Sequence, residues 1–261
     1  MKKFPPITKG LHLEDIKSLI ELAKDIAQTK TFNKRALELL NYPSLNTKKT
    51  IIGDFKRRFV KEEPLKKQPL IIFYNYLSST KIKNEILYLE YISNEPLVDF
   101  FIREYIYNKL IKPSKTLTSV DFVIIKNQDF DIFLNKYIAN TTERGYQLSR
   151  TLIRSSLRQF GILQDEKRNR SWKISFYKPD LLSFFYGVFR EFFEMGERKR
   201  SEKFFKEESL TMRRFLISPD QIPIILHKLE VQQLFDIEIF GTEKIYRLKY
   251  PNLSEYIQSW G

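Results

Sequence analysis

"NTTERGYQLSRTLIRSSLRQFG", Asn140 to Gly161, runs directly into "ILQDEKRNRSWKISFYKP", Ile162 to Pro179. The first part predicts one long helix. Thr141 or Thr142 can accept a hydrogen bond from the free N–H groups of its first turn. Gly161 can adopt the left-handed conformation that closes it. The second part predicts a strand in "ILQ", a charged turn, and a second strand in the alternating "WKISFY". Two helical segments are expected upstream: "TSVDFVIIKNQ", capped by Thr118 or Ser119, and "DFDIFLNKYIA". Helix, helix, outward-facing helix and hairpin, in that order, give the pattern of a winged helix-turn-helix over residues 118–178.

Successive residues of a helix advance by about 100°. Arg150, Arg154 and Arg158 therefore fall on one stripe, with Leu148, Leu152, Ile153, Leu157 and Phe160 on the other side. No acidic residue follows within the helix at i+3 or i+4, and Glu143 sits only near the cap. Between Arg144 and Lys173 eight basic residues (Arg144, Arg150, Arg154, Arg158, Lys167, Arg168, Arg170, Lys173) face two acids, Asp165 and Glu166. Solvated helix faces ordinarily mix signs. An unneutralised stripe implies an anionic partner, and the plain alternative is a solvated face with none. The expected contacts with double-stranded DNA are Thr142, Arg144, Arg150, Arg154 and Arg158 on the helix, and Lys167, Arg168, Arg170 and Lys173 on the wing. Few Asn or Gln accompany the arginines, so backbone contact largely independent of sequence is expected.

The motif has an echo. "TIIGDFKRRF", Thr50 to Phe59, and "TLIRSSLRQF", Thr151 to Phe160, both read T-[IL]-I-x-x-x-x-R-x-F. The earlier copy carries Lys48, Lys49, Lys56, Arg57 and Arg58 around Ile51, Ile52, Phe55 and Phe59, with Asp54 opposing. It reads equally as a second DNA-facing helix and as a basic packing helix. A helix from His12 to about Gln28, a second over "FNKRALELLN" capped by Thr31, and this third one, capped by Asn46 or Thr47 after Pro43, outline a helix-turn-helix unit.

The whole chain supports a mainly α protein: helical bundle modules with helix-turn-helix and winged-helix units and short β-hairpins. It has 261 residues, 42% hydrophobic, with only 8 glycines and a net charge of +13. A surplus of that size favours a polyanionic partner. "VKEEPLKKQP", Val60 to Pro69, reads as a linker. Three segments are expected: 1–62, helical; 66–178, helical and ending in the winged helix; 179–261, α+β. In the middle segment Tyr88, Tyr91, Phe100, Phe101 and Tyr105 form an aromatic series that reads as core, with stacking on single-stranded nucleic acid as the rival. Near the C-terminus "DIEIFGTEKIYRLKY" reads as a hairpin turning at Phe240–Thr242, either a second wing or a closing element.

Catalysis finds little footing. There is no cysteine and hence no thiolate site or disulfide. His12 and His227 stand alone, and no phosphate-binding or nucleophile-elbow motif occurs. Asp220, Asp236 and Glu238 lack the lysine a metal-dependent nuclease would place after the second acid. No enzyme, cofactor or metal is expected. The longest apolar run, "LLSFFYGVF" from Leu181 to Phe189, is too short for the roughly twenty residues of a membrane span, and the N-terminus lacks a signal-peptide core. A cytoplasmic protein without membrane insertion is expected.

The chain resembles the BrxA family, a small component of BREX phage-exclusion systems. The likeness lies in "ITKGLHLEDIKSLIELAKDIAQTKTFNKRALELLNYPSLNTKKTIIGDFKRRF", in "LYLEYISNEPLVDFFIREYIYNKLI" followed by "LTSVDFVIIK", and in "TERGYQLSRTLIRSSLRQFGIL". Together these cover roughly residues 7 to 165. The resemblance implies a cytoplasmic, largely helical, non-enzymatic DNA-binding protein acting beside a methyltransferase and ATPases in phage defence, with other defence subunits as partners. Two rival readings stay open: a scaffold whose basic face docks an acidic protein subunit, and an RNA binder using the aromatic middle.

Overall fold

Helix α1 (Leu13–Ala23) forms because Ile16, Leu19, Ile20 and Ala23 recur at helical spacing, and all four are buried. It ends well before the expected Gln28. Helix α2 (Thr29–Leu39) follows, then α3 (Leu45–Phe59). The cap of α3 is Ser44, whose hydroxyl accepts the Thr47 N–H at 3.4 Å, and not Asn46 or Thr47. The three helices pack on one another, with Phe32 and Phe55 stacked at 5.4 Å. Helices α4 (Pro69–Tyr76) and α5 (Thr80–Ser93) return onto α1 and α3, and the C-terminal helix Leu253–Trp260 packs on α4. Residues 9–94 and 250–261 thus make one compact unit. The computed structural model describes residues 3–26, 28–60, 64–111, 122–166 and 171–260.

The expected boundary at residues 62–66 falls inside this unit. Val60 and Leu65, on either side of the charged stretch, are both buried. Proline and charge mimic a linker, but the flanking apolar residues belong to the core.

The second unit comprises residues 1–8 and 95–249. Helix α6 (Pro96–Phe100) continues through a π-helical turn, Phe101–Ile106, into α7 (Tyr107–Ile111). Then come β1 (Phe122–Lys126), α8 (Asn127–Tyr137), α9 (Glu143–Gln159), β2 (Gln164–Asp165) and β3 (Ser171–Ser175). Strand β3 pairs antiparallel with both others, in the order β1-β3-β2, and Trp172 stands opposite Ile125 and Asp165. Helix, strand, two helices and a hairpin whose last strand is central form a winged helix. Within "TSVDFVIIKNQ", expected as helix, Phe122 to Lys126 are therefore a strand. Thr118 to Asp121 lie outside the described residues, and the β-branched run Val123-Ile124-Ile125 pairs with β3. Thr142 caps α9, accepting the Gly145 N–H at 3.1 Å. Gly161 closes it at φ 73°, where a side chain would be strained.

A similar order then recurs, with three helices in place of two between the first strand and the hairpin. Helix α10 (Leu181–Met195), β4 (Lys199–Ser201), α11 (Glu202–Glu207), α12 (Leu210–Arg214), α13 (Ile222–Val231), β5 (Phe235–Phe240) and β6 (Glu243–Leu248) build a second winged helix, with sheet order β4-β6-β5. The hairpin turns at Gly241, φ 61°. Each central strand drives one aromatic residue edge-on into the helix after the first strand. Trp172 meets Phe130 of α8 at 5.9 Å, and Tyr246 meets Phe205 of α11 at 5.7 Å. A break expected at residues 178–179 would separate the two, yet they share one unit. Asp99 of α6 accepts the Arg214 guanidinium at 2.9 Å and Arg103 at 3.0 Å, and the Tyr107 hydroxyl reaches the Met212 sulfur.

The aromatic series is core. Tyr88, Tyr91 and Phe101 are buried. Phe100 and Tyr105 are half-buried, Phe100 against Phe4 and Tyr137, Tyr105 against Phe133.

Candidate nucleic-acid interface

Two serines lie on the inward face of α9. Ser149 is buried. Its hydroxyl accepts the Ile7 N–H at 3.0 Å and lies 2.9 Å from the Gly145 carbonyl, to which it donates. Ser156 is buried as well and donates to the Leu152 carbonyl. With Ile153 and Leu157 they form the inward face. The N-terminal arm helps to hold it, since Phe4 bridges to Ile138 in parallel and Phe4 itself is buried. The sequence offers no periodic signal for either the serines or the arm, because a short polar side chain can be buried as soon as a backbone partner is present.

This orientation turns a different set outward from the one expected. Arg144, Gln147, Leu148, Thr151, Ser155, Arg158 and Gln159 are exposed, while Arg150, Leu152 and Arg154 are half-buried on the flank. The arginine stripe winds from the flank at Arg150 to the outward face at Arg158. Leu148, expected in the packing face, is exposed.

The stripe is also not left unneutralised. Arg150 pairs with Asp131 at 2.8 Å, and Arg158 with Asp165 at 2.5 Å. Arg154 lies over the Trp172 ring at 5.2 Å and reaches Asn127. These partners come from α8 and the sheet, beyond what helix spacing can reveal. Asp131 also engages the Tyr146 hydroxyl, whose pKa is pushed up to about 12 by burial and then by the Asp131 charge. Asp165 accepts the Trp172 indole N–H at 3.0 Å. On the wing, Lys173 is half-buried with its ammonium over Phe122 at 4.2 Å. Lys167, Arg168 and Arg170 lie outside the described residues.

The echo of the motif in α3 is partly structural. Thr50 and Thr151 are both exposed, as are Arg57 and Arg158, and Ile52 and Ile153 are both buried. The copies part at the next position. Gln159 is exposed, whereas Arg58 is 1% exposed and donates to the carbonyls of Gly10 and Lys9, each at 2.9 Å, with its guanidinium over Tyr91. Arg58 is thus a core residue that ties the chain before α1 to α3, which corrects its place among the DNA contacts. Lys48 is tied to the Leu37 carbonyl at 2.8 Å, Lys49 is exposed, and Lys56 is half-buried. Arg57 approaches the buried Asp54 at 3.8 Å.

Elsewhere the acids considered for metal binding are engaged otherwise. Asp236 and Glu238 both face Arg247, and Glu238 also faces Lys199. Among the described residues no group of three or more His, Asp or Glu side chains is placed to hold a metal ion. No helix among them is long and apolar enough to cross a membrane.

The class that this architecture defines is a mainly helical protein with two winged helices in tandem. Comparison with protein-family models, with curated proteins and with solved structures finds no match for the chain.

Proposed function

We propose that the protein binds double-stranded DNA through its first winged helix, without catalysing a reaction on it. One observation carries this reading. The outward face of α9 presents Arg144, Gln147, Thr151, Ser155 and Arg158 from a module, Glu95 to Pro179, with fifteen Lys/Arg against nine Asp/Glu. Guanidinium and hydroxyl groups on a helix of this kind suit phosphate oxygens. Arg150 and Arg158 can exchange their carboxylates for phosphates at little cost, because half-exposed ion pairs contribute only about 0–1 kcal/mol each. Lys173 extends the cationic surface on the sheet side. In the other unit, Lys49 and Arg57, with Lys48 and Lys56 beside them, offer a further cationic helix. Backbone contacts dominate, so affinity depends weakly on sequence. The resemblance to BrxA over residues 7 to 165 supports a place in a BREX-type phage-defence system, acting with other defence subunits in the cytoplasm.

Titration of salt against binding to a labelled duplex tests the reading. With about five phosphate contacts, log K should fall against log[salt] with a slope of about −4 to −5. Failure to bind duplex at low salt, by protein that is folded, removes the proposal. It would leave the second reading, a scaffold docking an acidic protein. Tyr88, Tyr91 and Phe101 of the aromatic series are buried and so are not open to stacking by single-stranded RNA.

A further inference from the structure

The second winged helix repeats the topology of the first but not its surface. From Asp180 to Lys249 it carries twelve Lys/Arg and twelve Asp/Glu. The chain's whole positive surplus therefore lies outside it, and its charges pair internally, as Lys199–Glu238, Arg247–Glu238 and Lys244–Glu230. A neutral module gains little from counterion release at a phosphate backbone. Helix α13, the counterpart of α9, exposes Ile224 at 59% and Val231 at 67%. The wing tip exposes Ile239 at 68% and Phe240 at 62%. Apolar residues on the outward helix and the wing at once mark a protein-binding surface more than a phosphate-tracking one.

A groove beside α13 gives that surface a shape. It encloses about 290 Å³ between α13 and the chain entering α10. Pro179, Leu181, Ile224 and Ile225 supply apolar walls, and Lys178 and Lys228 are the only charged residues lining it. Neither lysine belongs to an ion pair among the described residues. The flat aliphatic walls accept one or two apolar side chains, and the two ammonium groups at the rim favour carboxylates flanking them. We propose that the second winged helix is a protein-docking module, and that this groove takes an acidic amphipathic segment of a partner protein, its Leu or aromatic anchors on Ile224 and Ile225 and its Asp or Glu residues on Lys178 and Lys228. The charge of the groove argues for this occupant, and the inference stands whether or not the first winged helix binds DNA.

The test is selection from a phage-displayed library of random 12-residue peptides on the full-length chain, with the double variant Lys178→Glu/Lys228→Glu as a parallel target. Peptides enriched on the native chain should combine apolar anchors with Asp or Glu. Their affinity, read by fluorescence anisotropy, should fall at least tenfold on Ile224→Ser and on the double variant, and selection on the double variant should turn to basic peptides. All substituted positions are solvent-accessible, and unchanged far-UV circular dichroism verifies folding. Absence of enrichment on the native chain, or enriched peptides that bind the variants equally well, overturns the proposal. So does concentration-dependent dimerisation abolished by Ile224→Ser, since the face would then join copies of this chain, and so does duplex DNA binding lost on Lys178→Glu/Lys228→Glu.

Discussion

The two winged helices share strand order and an aromatic plug from the central strand. They differ in what they turn outward. In the first, α9 presents arginine, glutamine, threonine and serine; in the second, α13 presents isoleucine, valine, histidine and lysine. The shared features are carried by buried residues, Trp172 and Phe130 in one and Tyr246 and Phe205 in the other. The differing features are carried by residues that packing does not constrain. A fold therefore leaves the chemistry of its exposed helix open, and function has to be argued from the site.

The largest expected effects test the shared part. Trp172→Ala and Tyr246→Ala each remove a buried ring and its edge-to-face contact, at a cost of about 3–4 kcal/mol. Urea denaturation followed by circular dichroism should show losses of similar size. A loss below about 1 kcal/mol in either would mean that the aromatic plug is not what the two modules have in common. Only Trp172→Ala should also weaken duplex binding, because it removes the surface on which Arg154 rests.

Next in size is the test of the two motif copies. Arg58→Ala leaves the Lys9 and Gly10 carbonyls without their donors and should cost about 3 kcal/mol. Arg57→Gln, one residue away and exposed, should change stability by less than about 0.5 kcal/mol. Equal effects on thermal unfolding would contradict the assignment of Arg58 to the core.

Asp129 gives a smaller effect with a pH signature. Burial opposes ionisation, but hydrogen bonds from Lys109, the Lys126 backbone N–H and the Tyr105 hydroxyl win and hold its carboxyl below the usual carboxylate range. Lys109 is held above the usual lysine range by the same contact, against the pull of desolvation. A carboxyl whose folded-state pKa is depressed contributes stability that is full above about pH 4 and is lost as pH falls through the folded value. The Lys109 contribution is full below its ordinary pKa and fades only in strong alkali. Asp129→Asn should cost about 2 kcal/mol at neutral pH, through the lost cap and ion pair, and should flatten the fall of the melting temperature below about pH 4. An unchanged acid profile would remove Asp129 from the account.

The smallest effect bears on function most directly. Arg144→Gln/Arg158→Gln should weaken duplex binding about tenfold, equivalent to about 1.4 kcal/mol, and should make the salt slope shallower by about 2. Lys228→Gln in the second module should leave both unchanged. The reverse pattern would exchange the roles of the two winged helices.

The sequence by itself determined the mainly helical class, a cap at Thr141 or Thr142, the Gly161 terminus and the two C-terminal-side hairpins of the modules. Such features rest on local backbone rules that neighbouring residues satisfy among themselves. It also displayed the arginines at fourfold spacing. Only the tertiary structure decided which way they point. Ile7, far away in the chain, bonds Ser149 on the inward face of α9, and Asp131 and Asp165 reach the arginines from α8 and from the sheet. The same holds for β1, which reads as helix until β3 pairs with it, and for Arg58, which reads as a surface cation until two carbonyls before α1 fold over it. Local spacing places a side chain on a helix, but burial and partnership come from residues that the fold brings from elsewhere in the chain, and no short stretch of sequence contains them.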